Sequence, residues 1–195
     1  MDKEGCCFGR AIESLRKKLP GANPIPIQIP LFRLASSQSC SSKLTASLGI
    51  YDRLPSDIVA VSPEQSTMNG AIGDFIGVID LIQMRAIVWP EGANFGNGID
   101  VENYAPNVIH LLQPKTSKPT HEDCHITQEA ITARFELIEA LAEIDTTTEE
   151  YYLNDREPGD AELRAALRRT TLAQKAVPVM AAAALRGKEI GRAHV

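Results

Sequence analysis

Residues 74–89, DFIGVIDLIQMRAIVW, constrain the fold more than any other stretch. Segments 75–81 and 83–89 are rich in Ile and Val and read as two strands, or as one long bent strand. Pro90-Glu91-Gly92 then closes the run with a turn signal. Sheet structure in the middle of the chain is therefore the starting point, and helices are expected on both sides of it.

Upstream, Phe8, Ile12, Leu15 and Leu19 fall at helical spacing within residues 5–19. Arg16, Lys17 and Lys18 crowd the last turn, where cations suit the negative end of the helix dipole, and Pro20-Gly21 ends the helix. Ile25, Ile27 and Ile29 alternate with Pro26 and Gln28, which is strand periodicity, and Pro26 assigns that strand to a sheet edge. Residues 33–71 hold a Ser-rich run at 36–42 and scattered prolines, and are read as a disordered loop. Residues 93–123 are also loop-like, with short ordered pieces around 108–112.

Downstream, Thr127 is expected to cap a helix reaching about Ile144, with Ala130, Ile131, Phe135, Ile138, Leu141 and Ala142 on its apolar face. Glu136, Glu139 and Glu143 lie on another face and are read as solvated. A further helix is expected over residues 160–174, with Asp160 and Glu162 at its front and Arg168 and Arg169 at its rear. The apolar run 177–182 reads as a short buried strand. This order gives an α/β or α+β domain without internal repeats.

A chain of 195 residues can bury a usable core, and 44% apolar with 23% charged residues is ordinary for a globular protein. The net charge of -5 argues against DNA or an anionic membrane as partner. Cys6, Cys7, Cys40 and Cys124 suggest no disulfide framework. Cys124 between His121 and His125 is read as part of a solvated loop, because a structural zinc site needs four ligands in paired spacing.

Four blocks carry a resemblance to the elongation factor G family of translational GTPases. They are Met1-Asp2-Lys3-Glu4-Gly5 continuing to GANPIPIQIP at 21–30, DFIGVIDLIQMRAIVW at 74–89, FELIEALAEID at 135–145, and ELRAALRRTTLAQKAVPV at 162–179. The sequence most resembles the mitochondrial ribosome-releasing factor 2 branch, with translocation-type elongation factor G as the alternative. The resemblance implies a fragment of a P-loop-type GTPase domain carrying an α+β insert subdomain. Residues 1–20 would be the end of the guanine-specificity motif and the helix after it, 21–174 the insert, and 175–188 the returning GTPase strand and second guanine-reading loop. Residues 189–195 are read as translated sequencing adapter.

The resemblance also implies site residues. Asp2 would accept hydrogen bonds from the guanine N1–H and its exocyclic amine, and two carboxylate oxygens suit two parallel donors. Ala184 would turn its backbone N–H to guanine O6, on a loop where Ala183 replaces the family's serine. GTP and Mg2+ are the cofactors implied for the parent protein, the ribosome and its large-subunit stalk proteins the partners, and the mitochondrion the compartment. No G-x-x-x-x-G-K-[ST] loop occurs in these residues, and His110, His121, His125 and His194 match no catalytic position of the family. The fragment is expected to be inactive alone and to bind no nucleotide tightly; as a literal chain it could serve as a non-catalytic stalk-binding module. The strand at Val177 is expected to find no parallel partner.

Overall fold

The computed structural model describes residues 7–34, 58–61, 73–89, 107–111 and 121–182. In chain order these form α1 (Phe8–Lys18), β1 (Pro24–Pro26), β2 (Gln28–Leu34), β3 (Ile58–Ala60), β4 (Gly73–Asp80), β5 (Arg85–Val88), β6 (Asn107–His110), α2 (His121–Ala142), α3 (Thr146–Leu153), α4 (Asp160–Leu172) and β7 (Val177–Val179). The mixture of helices and sheets agrees with the α/β class.

The Ile- and Val-rich run forms a hairpin, so the alternative of one bent strand is dropped. Strands β4 and β5 pair antiparallel from Gly77–Val88 to Asp80–Arg85. The buried Asp80 carboxylate organises the turn, because its Oδ1 accepts from the N–H groups of Ile82 (3.0 Å) and Gln83 (3.2 Å). Gly77 is required by close approach, since a Cβ there would lie 2.5 Å from the Ile87 carbonyl oxygen.

This hairpin belongs to a five-stranded sheet of order β3-β2-β4-β5-β6, all antiparallel. A register shift between Leu31 and Phe32 leaves Ile76 unpaired opposite β2, and the bulge breaks the alternation, so that Phe75 and Val78, three residues apart, share one buried cluster while Ile76 and Ile79 share the other. On one face Ile29, Leu31, Ile79 and Ala86 meet Ala130, Leu137 and Leu141 of α2 and Leu163 and Ala166 of α4. On the other, Phe32, Phe75, Val78 and Trp89 meet Phe8 and Ile12 of α1. Full burial of side chains such as Phe8 and Ile12 contributes roughly 1.5–3 kcal/mol each.

Several expectations need correction. The Ile25–Ile29 alternation is not one edge strand: it breaks at Ile27 into β1 and β2, and β2 is interior to the larger sheet. Pro30 is tolerated there because it lies where the β3 pairing ends, and its carbonyl still accepts from Val61 N–H at 3.1 Å. Part of the loop assigned to 33–71 is strand, since β2 runs to Leu34 and Ile58–Ala60 forms β3; most of the rest lies outside the described residues. Val177 is not without a parallel partner. Strand β7 pairs with β1 in register Pro24–Val177, Ile25–Pro178 and Pro26–Val179. Val177 N–H donates to the Asn23 carbonyl (3.1 Å), and Ile27 N–H to that of Val179 (3.0 Å).

The helical layer also differs from expectation. Helix α2 starts at His121, so Thr127 is inside it and not its cap. Ile131 and Phe135, assigned to the core, are 43% and 54% exposed, while Ala133, Arg134 and Leu137 are buried. Helix α3 was not foreseen. Asp145 caps it by accepting from the Thr148 N–H (3.1 Å) and hydroxyl (2.7 Å). Helix α4 matches its expected span to within two residues at its end.

Candidate functional site

Asp2 and Ala184, the residues implied to read guanine, lie outside the described residues, as does Ala183. The described segments nearest to them do meet, because Phe8 and Ile12 at the front of α1 share one buried cluster with Ala181. His110 is exposed at the end of β6, and the side chains of His121, Cys124 and His125 lie outside the described residues. Among the described residues no group of three His, Cys, Asp or Glu could hold a metal ion. No helix among them is long and apolar enough to cross a membrane.

Where the structure does build a concave site is on the outer side of α2. Because α2 and α3 are joined by a tight connection through Ile144 and Asp145, they run as neighbours, and Phe135 meets Tyr152 with ring centroids 6.0 Å apart at 46°. These two rings, with Ile131, Ile138, Met84 and Pro158, line a groove of about 510 Å³. Asp155, Arg156 and Glu157 complete its wall.

Arg134 fixes the base of this groove. Only 7% exposed, it reaches from α2 to the β4–β5 turn, where its Nη1 donates to the carbonyls of Leu81 (2.7 Å) and Ile82 (2.5 Å). Its Nε donates to Glu157 Oε1 at 2.7 Å and its Nη2 to the Pro158 carbonyl at 3.3 Å. One planar guanidinium therefore ties three segments together, which a lysine with a single ammonium group could not do. The turn it grips holds Met84 at φ +48°, an uncommon conformation for a non-glycine residue, with the Met84 side chain buried.

A second node lies at the other end of the α2–α3 pair. Arg169 of α4 binds Asp145 in a two-bond fork, Nε to Oδ1 at 3.0 Å and Nη2 to Oδ2 at 2.7 Å. The Arg169 hydrogen bonds, with those from Thr148, outweigh burial and hold the Asp145 carboxyl below the usual carboxylate range; the same pair raises Arg169.

Sequence reading missed the groove because a charged residue, Arg134, occupies the buried stripe of α2. The usable signal was the apolar pair Ile131 and Phe135, which exceeds what the core accommodates. The groups in the groove are apolar, aromatic and charged contact groups, and their arrangement suits binding.

No family model matches the chain. Elongation factor G of Fervidobacterium nodosum is 30% identical over 186 residues, covering 94% of this chain and 18% of that protein. Elongation factor G of Thermotoga neapolitana and that of Thermotoga maritima are each 30% identical over 190 residues, covering 97% of this chain and 19% of each relative. The chain thus spans less than a fifth of the length of these relatives.

Proposed function

This chain is a homologue of a segment of elongation factor G, and from that premise we propose that it is part of a GTPase that acts on the ribosome. The homology supports the elongation factor G family of translational GTPases. The observation that carries the reading is identity of 30% sustained over more than nine-tenths of the chain. The fold is compatible with it. The β1–β7 pair and the cluster of Phe8, Ile12 and Ala181 set the early and late parts of the chain side by side, as a domain inserted into another must do.

In this reading Asp2 and Ala184 read guanine in the parent protein, GTP and Mg2+ are its cofactors, and residues 21–174 are an insert that faces the large-subunit stalk proteins. Ribosome recycling in mitochondria is the specific role, because Met1-Asp2-Lys3 followed by Gly5 and Phe8, and Thr171-Leu172-Ala173-Gln174 before Ala176-Val177-Pro178-Val179, resemble the ribosome-releasing branch. Translocation, as by a translocation-type elongation factor G, is the second reading, and the homology to elongation factor G is compatible with both.

The full-length protein, assayed on mitochondrial ribosomes, tests this. Ribosome-stimulated GTP hydrolysis with subunit splitting and without translocation is expected. Translocation without splitting would favour the second reading, and no stimulated hydrolysis would overturn both. The 195-residue chain by itself is expected to bind fluorescent GDP no tighter than about 1 mM, because phosphate contacts to a glycine-rich loop and helix N-terminus supply much of a nucleotide's affinity.

A further inference from the structure

We propose that Asn23 is a positioning residue for guanine recognition: it clamps the start of β7 and so sets where the chain beyond β7 presents the Ala184 N–H. The inference rests on the guanine-reading role of Ala184 and adds to it a residue from the other end of the chain.

Asn23 holds the entry to β7 at two points. Its carbonyl accepts from the Val177 N–H at 3.1 Å, and its side-chain Nδ2 donates to the Lys175 carbonyl at 3.0 Å, a contact across 152 residues. These two partners flank Ala176, which is 1% exposed. Helix α4 holds the same link from its other side, because the N–H groups of Lys175 (2.9 Å) and Ala176 (3.3 Å) both donate to the Thr170 carbonyl. Asn23 stands at φ +42°, a conformation that asparagine tolerates better than most residues. In that conformation its carbonyl and its amide reach Val177 and Lys175 together.

From this clamp the chain is fixed at every second residue in the direction of Ala184. Lys175 and Val177 are held by Asn23, and the Val179 carbonyl accepts from the Ile27 N–H at 3.0 Å. Ala181, 1% exposed, packs in one cluster with Phe8 and Ile12. Ala184 follows three residues later. A contact between one backbone N–H and guanine O6 depends on placement alone, since alanine has no side chain that could adjust. A misplacement of about 1 Å is enough to lose such a contact. Asn23 is exposed and belongs to neither buried cluster, so replacing it alters the clamp without emptying the core.

Nucleotide affinities of the full-length protein test the proposal, measured for GDP, IDP and ADP by competition against fluorescent GDP. Hypoxanthine keeps the O6 acceptor and lacks only the exocyclic amine of guanine, whereas adenine puts an amine at position 6. In Asn23→Asp the donor that meets the Lys175 carbonyl becomes an acceptor; Asn23→Gly removes it and keeps the left-handed backbone accessible. Both variants are expected to lower the GDP-to-ADP affinity ratio at least fivefold and to leave the GDP-to-IDP ratio within twofold. Neither ratio depends on the fraction of protein that is folded, so a merely structural role for Asn23 would move neither. An unchanged GDP-to-ADP ratio in either variant would overturn the proposal and leave the role of Ala184 standing. So would a comparable fall in the GDP-to-IDP ratio, which would place the effect at the exocyclic amine. A parent protein that binds ADP as tightly as GDP would overturn the guanine reading itself, and the proposal with it.

Discussion

Arg134 and Arg169 both carry a guanidinium to the ends of the α2–α3 pair, yet they are built in opposite ways. At Arg134 the cation is the buried partner. It spends its donors on the carbonyls of Leu81, Ile82 and Pro158, and its carboxylate, Glu157, is 64% exposed. At the other node the carboxylate is the buried partner: Asp145 is 9% exposed and Arg169 is 47% exposed. The charge taken out of water decides what a mutation costs. Removing Arg134 would orphan buried carbonyls, whereas removing Arg169 would leave Asp145 still accepting from Thr148.

The largest expected effect is therefore at Arg134. Arg134→Ala should destabilise the chain by about 3–4 kcal/mol, read as a lower urea midpoint at unchanged slope. Glu157→Gln should stay within about 0.5 kcal/mol, because an exposed carboxylate contributes little net energy. Equal losses from the two substitutions would break the contrast, since the ion pair and not the carbonyl contacts would then hold the turn.

A smaller effect, with a pH signature, belongs to Asp145. Its folded-state pKa lies below its unfolded value, chiefly through the Arg169 hydrogen bonds. Stability from this group is fully present above the unfolded value, about 3.9, and is lost as pH falls through the folded value. Asp145→Asn should cost about 1–2 kcal/mol at neutral pH, and should approach the parent chain as both are acidified. Arg134→Ala should instead run parallel to the parent across the same acid range. Unfolding midpoints at a series of pH values check both, and parallel curves for Asp145→Asn would remove Asp145 as the source of acid sensitivity.

The same contrast explains what could be read from the sequence. The β4–β5 hairpin, α1 and α4 were legible because their patterns are local: alternating or continuous apolar residues, caps and charged ends. The buried face of α2 was not. Arg134 lies between Ala133 and Leu137 on that face, and a charge there makes the true core stripe look like the outer one. Ile131 and Phe135 then take its place in any reading by periodicity. Helix α3 was missed because Thr146, Thr147 and Thr148 are weak helix formers and no apolar stripe follows; only the cap Asp145 and Glu149 in the first turn announce it. The β1–β7 pairing joins residues about 150 apart, and no local pattern encodes such a partner.

The smallest effect tests how far the second node reaches. Helix α4 closes with Gln174 at φ +57°, while Gln174 N–H donates to the Thr171 carbonyl (3.0 Å) and Lys175 N–H to that of Thr170 (2.9 Å). This is the left-handed helix stop that glycine fills most readily. Gln174→Gly should raise stability by about 0.5–1 kcal/mol, because relief of left-handed strain exceeds the extra entropy of a glycine in the unfolded chain. Arg169 lies in the same closing turn, and its carbonyl accepts from Ala173 N–H at 3.0 Å. If the Asp145 fork fixes only the Arg169 side chain, the gain should persist in the Asp145→Asn background to within about 0.3–0.5 kcal/mol. If the gain vanishes there, the fork is setting the backbone at the end of α4, and through it the approach to β7. The half-exposed node would then govern a larger part of the fold than its modest energy suggests.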